Sequence, residues 1–366
     1  MSQDFMAAMR RSLDAVRAGD PAAATRMIQS ALGGGTAPAS APEAEPASEA
    51  KPRRRAPRVE DAEVLGETPP RARSSLRETV ARLRRRSAPA AAPEIAPGAV
   101  WEERRHASPF GTRAYKLYVP AAVAAGGAAE GLVVMLHGCT QNPDDFARGT
   151  RMNALAETHG LVVAYPAQER THNMQACWNW FQPGDQGRSG ESALVADLAR
   201  ALAAEHGVAG RVMVAGLSAG GAMAAETAEA HPEIFAAAGI HSGLVPGSAR
   251  DMPGAFAAMR GDGAGRAHAP AVPTILFHGD ADRTVAPANA EGYAKALQDA
   301  KRRAGSAGGR AWEVEAGSTA SGTPVELWRV RGAGHAWQGG DASGSYADAA
   351  GPDASAEMVR FLLARG

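Results

Sequence analysis

The sequence predicts an α/β fold, a mostly parallel central sheet with helices on both faces, and three features carry that prediction. From Trp101 onward, apolar runs of strand length alternate with stretches of helical spacing. Leu132–Leu136 is continuously apolar, as expected of a strand buried on both faces. At Ser218 a short apolar run, Val212–Leu217, meets G-x-S-x-G and then an alanine-rich helical stretch, which is the pattern of a sharp strand-to-helix turn.

The elements follow in chain order. Tyr115, Leu117 and Val119 alternate with Lys116 and Tyr118, so an edge strand is expected before the buried strand at Leu132–Leu136. A helix is expected over Asp144–His159, a strand over Leu161–Tyr165, a helix over Ser192–His206 and the strand that enters Ser218. Later strands are expected at Ala236–Ile240, Thr274–His278 and Val325–Val330, with a terminal helix over Ser355–Ala364. No internal repeat is visible.

The first hundred residues read differently. Phe5, Met6, Met9, Leu13 and Val16 recur at helical spacing, and Asp20-Pro21 offers a cap and first-turn proline for a second helix carrying Met27, Ile28 and Leu32. A helical hairpin is therefore expected over 1–33. Residues 34–97 are rich in Ala, Pro, Ser, Glu and Arg with few large apolar side chains, so they cannot offset the entropy of ordering and are expected to form a disordered linker. Leu76, Val80 and Leu83 allow a short helix inside it. The catalytic unit is expected over 98–366.

Formal net charge is zero, which argues against global electrostatic steering, but basic charge is concentrated between Lys51 and Arg86. A solvated linker is the plainer reading of that segment. An anionic surface is the partner it could take, and no motif for specific nucleic-acid recognition accompanies it. No apolar stretch approaches the roughly 20 residues needed to span a bilayer, and the N-terminus lacks the basic-then-apolar pattern of a secretory signal.

Ser218 is the expected nucleophile, since flanking glycines permit the strained turn that pushes a serine hydroxyl out above a sheet. An acyl-transfer serine needs a base and a carboxylate to orient it, in the chain order Ser, acid, His for this type of fold. His335, in Gly334-His335-Ala336-Trp337 just past the last long strand, is the only histidine late enough to follow both. Asp280 and Asp282 both follow the Thr274–His278 strand. Asp282 is favoured as the acid, because Asp280 comes so soon after the strand that it is better placed to shape the turn. Backbone amides of Ala219, next after the serine, and Cys139, in the loop after the buried strand, are the expected oxyanion donors. His137 is expected to brace that loop.

Taken together, Leu136-His137-Gly138-Cys139-Thr140-Gln141, Cys177-Trp178-Asn179-Trp180-Phe181, Gly216–Gly221, His278–Val285 and Gly334–Trp337 resemble the esterases related to extracellular poly(3-hydroxybutyrate) depolymerases, within the α/β-hydrolases. The resemblance runs from Arg113 to the end. It implies Ser218 as nucleophile, Asp282 as acid, His335 as base and Cys139 in the oxyanion loop. It also implies that Cys139 and Cys177, the two cysteines of the chain, lie close enough for one disulfide, whereas a reducing compartment would keep them as thiols. Two cysteines without an ordered set of histidines fall short of a metal site, so neither metal nor cofactor is expected.

Trp178, Trp180, Phe181 and Trp337 stand out in a chain with 5% aromatic residues. They read either as core wedges or as a groove for the apolar body of an ester. The expected activity is hydrolysis of carboxylic esters, with poly(3-hydroxybutyrate) or its oligomers as substrate. A feruloyl or acetylxylan esterase is the alternative, and an inactive hydrolase fold serving as a binding protein is disfavoured by the complete Ser, Asp, His set. The resembled depolymerases are mostly exported, while this N-terminus points to retention or a non-Sec route. With no separate substrate-binding domain after the catalytic part, short oligomers, amorphous polymer or unrelated esters are expected ahead of crystalline polymer.

Overall fold

The computed structural model describes residues 92–264 and 266–365. The helical hairpin expected over 1–33, the basic segment Lys51–Arg86 and nearly all of the expected linker lie outside these residues. Residues 92–97, at the end of that linker, are packed on the domain. Pro93 is buried, Ile95 rests on the core, and Ala92 O accepts a hydrogen bond from Arg148 Nη2 at 2.9 Å.

Strands β1 (Val100–Ser108), β2 (Gly111–Val119), β3 (Gly131–Leu136), β4 (Leu161–Pro166), β5 (Val212–Leu217), β6 (Ala237–His241), β7 (Thr274–Gly279), β8 (Leu297–Ala307), β9 (Arg310–Thr319) and β10 (Pro324–Val330) form one ten-stranded sheet. Its order is β1-β2-β4-β3-β5-β6-β7-β10-β9-β8. The six central strands, β4 to β10 in that order, are parallel, and antiparallel pairs extend the sheet on both sides. The expected edge strand, β2, is therefore interior. Its outer neighbour β1, with the sequence VWEERRHAS, is too polar to announce itself by an apolar run.

The two faces of the sheet bury separate cores, because side chains alternate along each strand. Leu132, Val134 and Leu136 of β3 join one core with α4 (Gly190–Glu205) and α5 (Ala219–Ala230), following α1 (Ala121–Ala124) in the chain. Val133 and Met135 join the other core, with α2 (Pro143–Thr150), α3 (Met152–His159) and α8 (Ala354–Leu363). The two remaining helices of at least seven residues are α6 (Met252–Met259) and α7 (Ala288–Ala294).

The single helix expected over Asp144–His159 is broken. Thr150 Oγ1 donates back to Phe146 O at 2.8 Å, and Arg151 then adopts a left-handed φ of 55°, ending α2 and starting α3.

Candidate active site

Ser218 stands between β5 and α5 with φ 58° and ψ −120°, a conformation that costs an L-residue on the order of 1–3 kcal/mol. Glycines on either side make the turn sterically possible. A Cβ at Gly216 would come within 2.4 Å of Gly220 backbone, and one at Gly220 within 2.1 Å of Leu136 O. The turn at Ser218 thus closes directly on the end of β3. The Ser218 amide is held by His241 O at 2.9 Å, which fixes the strained residue to β6.

The loop that leaves β3 lies against the serine: a Cβ at Gly138 would be 3.7 Å from Ser218 Cβ. Gly138 N donates to Gln141 Oε1 at 2.9 Å and is already used. Among the described residues, the Cys139 amide has no intramolecular acceptor. Ala219 opens α5, where the first amides have none within the helix. The amides of Cys139 and Ala219, next in the chain after Gly138 and Ser218, are thus left without an acceptor among the described residues.

His335 and Asp282 meet as expected. His335 Nδ1 donates to Asp282 Oδ2 at 2.7 Å, which leaves Nε2 as the basic nitrogen of the neutral ring. The other carboxylate oxygen accepts the amides of Thr284 and Val285 at 2.9 and 3.0 Å. Burial pushes the Asp282 carboxyl up, but the hydrogen bond and charge of His335, with the Val285 amide and His278, outweigh it and hold the group below the usual carboxylate range.

Two further histidines, unassigned from the sequence, are buried in this region, and one of them contacts the pair. His278 Nε2 donates to Val285 O at 3.0 Å and lies 3.5 Å from Asp282 Oδ2. His241 is sandwiched between Phe277 and Trp337, and burial lowers its pKa to about 3. The signal for His278 was its place in the His278–Val285 motif. His241 ends a plain apolar strand and had none.

His137 braces the loop as expected. Its Nδ1 donates to Gly138 O at 2.8 Å, its Nε2 accepts Gln168 N at 3.0 Å, and burial lowers its pKa to about 4. Cys139 and Cys177 form a disulfide with Cα atoms 4.2 Å apart.

The aromatic residues offer no open groove. Trp178, Trp180, Phe181 and Trp337 are between 0% and 6% exposed. Trp178 Nε1 donates to His137 O at 3.1 Å and Trp337 Nε1 to Ser355 Oγ at 3.0 Å, so both indoles have their polar tips satisfied inside the protein. The expectation that they would line a groove is corrected to the other reading, core wedges. Among the described residues, no group of three or more His, Cys, Asp or Glu side chains is arranged to hold a metal ion.

The sequence profile of the esterase PHB depolymerase family matches residues 113–311, more than half of the chain, taking in Ser218 and Asp282 and stopping before His335. Over 228 residues the chain is 33% identical to poly(3-hydroxyalkanoate) depolymerase C of Paucimonas lemoignei, covering 56% of this chain and 54% of that protein. Over 140 residues it is 34% identical to feruloyl esterase B of Neurospora crassa, covering 37% of this chain and 46% of that protein. The chain spans about half the length of these relatives. Among solved structures, an acetyl xylan esterase from Aspergillus awamori shares the fold, with a TM-score of 0.52 and 20% identity over 64% of this chain and 94% of that one.

Proposed function

The chain belongs to the esterase PHB depolymerase family, and from that premise we propose that it is a serine carboxylic-ester hydrolase of α/β-hydrolase fold working through an acyl-enzyme on Ser218. The observation that carries the proposal is the positive φ of Ser218. A turn with no task but to connect β5 to α5 would be met at no strain by glycine, which already occupies positions 216 and 220.

In this mechanism His335 Nε2 takes the Ser218 hydroxyl proton as Oγ attacks the ester carbonyl. Asp282 holds the ring in that tautomer and stabilises the imidazolium. The amides of Cys139 and Ala219 receive the oxyanion. His335 then protonates the leaving alcohol as the tetrahedral intermediate collapses, and the same groups run in reverse with water to free the acid.

Poly(3-hydroxybutyrate) or its oligomers is the substrate class we favour. Similarity to the depolymerase covers a larger share of this chain than similarity to the feruloyl esterase. A water-poor polyester also suits the end of the sheet that carries the serine. Among the described residues, the exposed large apolar side chains are Phe110, Met174, Met252, Phe256 and Tyr346. All lie in segments that leave the sheet at the end where Ser218 sits: Phe110 in the β1–β2 turn, beyond the Tyr115–Pro166 pairing, Met174 after β4, Met252 and Phe256 in α6 after β6, and Tyr346 after β10.

The test has two arms. A fluorophosphonate should label wild-type protein at Ser218, and labelling elsewhere or not at all would sink the mechanism. Hydroxybutyrate oligomers, feruloylated sugars and acetylated xylan should then be compared by kcat/KM. A best substrate among the sugars would move the assignment to the polysaccharide esterases.

A further inference from the structure

Behind the oxyanion loop lies an ion pair that touches neither Ser218, Asp282 nor His335. Arg113 on β2 and Glu191 in the first turn of α4 are joined by Nη2–Oε1 at 3.1 Å, with side chains only 4% and 5% exposed. Burying such a pair is a poor route to stability, because desolvation of two charges offsets their attraction. Arg113 Nε is moreover buried without a hydrogen-bond partner, so the pair is not arranged for the most favourable solvation of its charges.

The other side-chain hydrogen bonds of the pair lead toward Cys139. Arg113 Nη1 donates to Gln168 Oε1, and Gln168 Nε2 donates to Glu191 Oε1 at 2.6 Å and to Cys177 O at 2.8 Å. Glu191 Oε2 accepts the Asn179 amide at 2.8 Å, and Oε1 is 3.3 Å from Asn179 Nδ2. The Arg113 guanidinium also lies over the Trp178 ring at 5.5 Å. The pair therefore grips two backbone segments, at Gln168 and at Cys177–Asn179.

Those two segments in turn hold the oxyanion loop. Gln168 N donates to His137 Nε2, Trp178 Nε1 donates to His137 O, and Cys177 is bonded to Cys139. We infer that the buried Arg113–Glu191 pair is a positioning device that sets where the Cys139 amide points, and so governs stabilisation of the transition state without touching substrate. This rests on the reading of Ser218 as nucleophile and the Cys139 amide as oxyanion donor. A charged pair suits the task because its directional bonds bring four elements to one geometry, where apolar packing would tolerate small shifts. A displacement of about 1 Å is enough to matter, since a donor must meet the oxyanion within a few tenths of an ångström.

The test replaces both partners, Arg113→Met with Glu191→Leu, so that no lone charge is left buried. Wild type and variant are compared by melting temperature, by kcat and KM for p-nitrophenyl butyrate, and by inhibition with a trifluoromethyl ketone, whose tetrahedral adduct places an oxyanion in the hole. The folded variant should lose about ten- to hundredfold in kcat, less than the loss of a whole donor, with KM within about twofold. The inhibition constant for the ketone should rise by the same factor as kcat falls. Unchanged kcat and ketone affinity in a folded variant would overturn the inference. Should the double replacement fail to fold, Glu191→Gln, isosteric with the native side chain, must show the same split between kcat and KM, and equal kcat there overturns it as well. Wild type that a fluorophosphonate does not label at Ser218 would overturn the mechanism itself, a result distinct from labelled protein indifferent to the pair.

Discussion

Asp280 Oδ1 accepts the backbone amide of Gly332 at 2.6 Å, tying the loop after β7 to the loop that carries His335 three residues later. The carboxylate two residues away, Asp282, instead bonds the His335 ring. Two neighbouring acids thus split the work: one ties the two loops together, and the other, in the proposed mechanism, orients the base.

The two aspartates should separate in kinetics. Asp282→Asn removes the charge that supports the His335 tautomer and its developing imidazolium, and should lower kcat on the order of a thousandfold or more with the fold retained. Asp280→Asn keeps an acceptor for Gly332 and should cost less than about tenfold, with its effect seen chiefly in melting temperature. The reverse ranking of kcat would transfer the acid's role to Asp280.

Strain at Ser218 gives a second expectation, in which stability and activity move in opposite directions. Ser218→Ala keeps the Cβ and hence the unfavourable φ of 58°, whereas Ser218→Gly releases it. Both variants should lose at least about a hundredfold in activity. The glycine variant should be more stable than the alanine variant by about 1 kcal/mol, the strain relieved less the extra chain entropy of glycine. Chemical denaturation of the two proteins measures the difference directly, and equal midpoints would mean that the turn relaxes once the hydroxyl is gone.

What the sequence disclosed was the part of the fold buried on both faces. β3, β5 and β7 are fully buried, so nearly every position in them is apolar or small, and each was legible as a run. The strands that escaped notice are the antiparallel ones at the margins. β8, in the sequence LQDAKRRAGSA, is exposed along most of its length, and Lys301, Arg302 and Arg303 on it are the residues that protect an open sheet edge from further pairing. Site residues divide in the same way. Ser218, Asp282 and His335 lie in short motifs whose chemistry is local, while the Arg113–Glu191 pair joins positions 78 apart through contacts that only the folded chain creates.

The disulfide offers a test of how the oxyanion loop is held. Cys139 and Cys177 are 38 residues apart, and closing a loop of that length stabilises a fold by about 3–4 kcal/mol in the chain-entropy model. Reduction should therefore lower the melting temperature. Its effect on turnover should be smaller than its effect on stability, because His137 holds the same loop through Gly138 O and the Gln168 amide. Thiol titration and p-nitrophenyl butyrate turnover on the same reduced sample decide it. Loss of more than about a hundredfold in kcat below the melting transition would make the disulfide, not the hydrogen bonds, the principal support.

The last expectation concerns pH and one buried acid away from Ser218, Asp282 and His335. Glu226 on α5 is 7% exposed, and burial pushes its carboxyl up to about 7, only partly offset by the Gly247 amide donating at 2.6 Å. A carboxyl whose folded pKa lies above its unfolded value near 4.5 binds more protons in the native state between those limits. Stability from this group is therefore intact below about pH 4.5 and is lost as pH rises to about 7. His137 and His241 act in the opposite sense, because burial lowers both from 6.5 and stability is lost as pH falls below that value. A plain pH–stability curve would mix these effects, so the informative quantity is the difference between wild type and Glu226→Gln, in which the histidine contributions cancel. That difference should be near zero at pH 4.5 and should grow to on the order of 2–3 kcal/mol in favour of glutamine at pH 8. The amide oxygen can still accept from Gly247, so little hydrogen bonding is lost. A glutamine variant less stable than wild type at pH 8 would instead mean that the carboxylate charge itself holds the loop at Gly247.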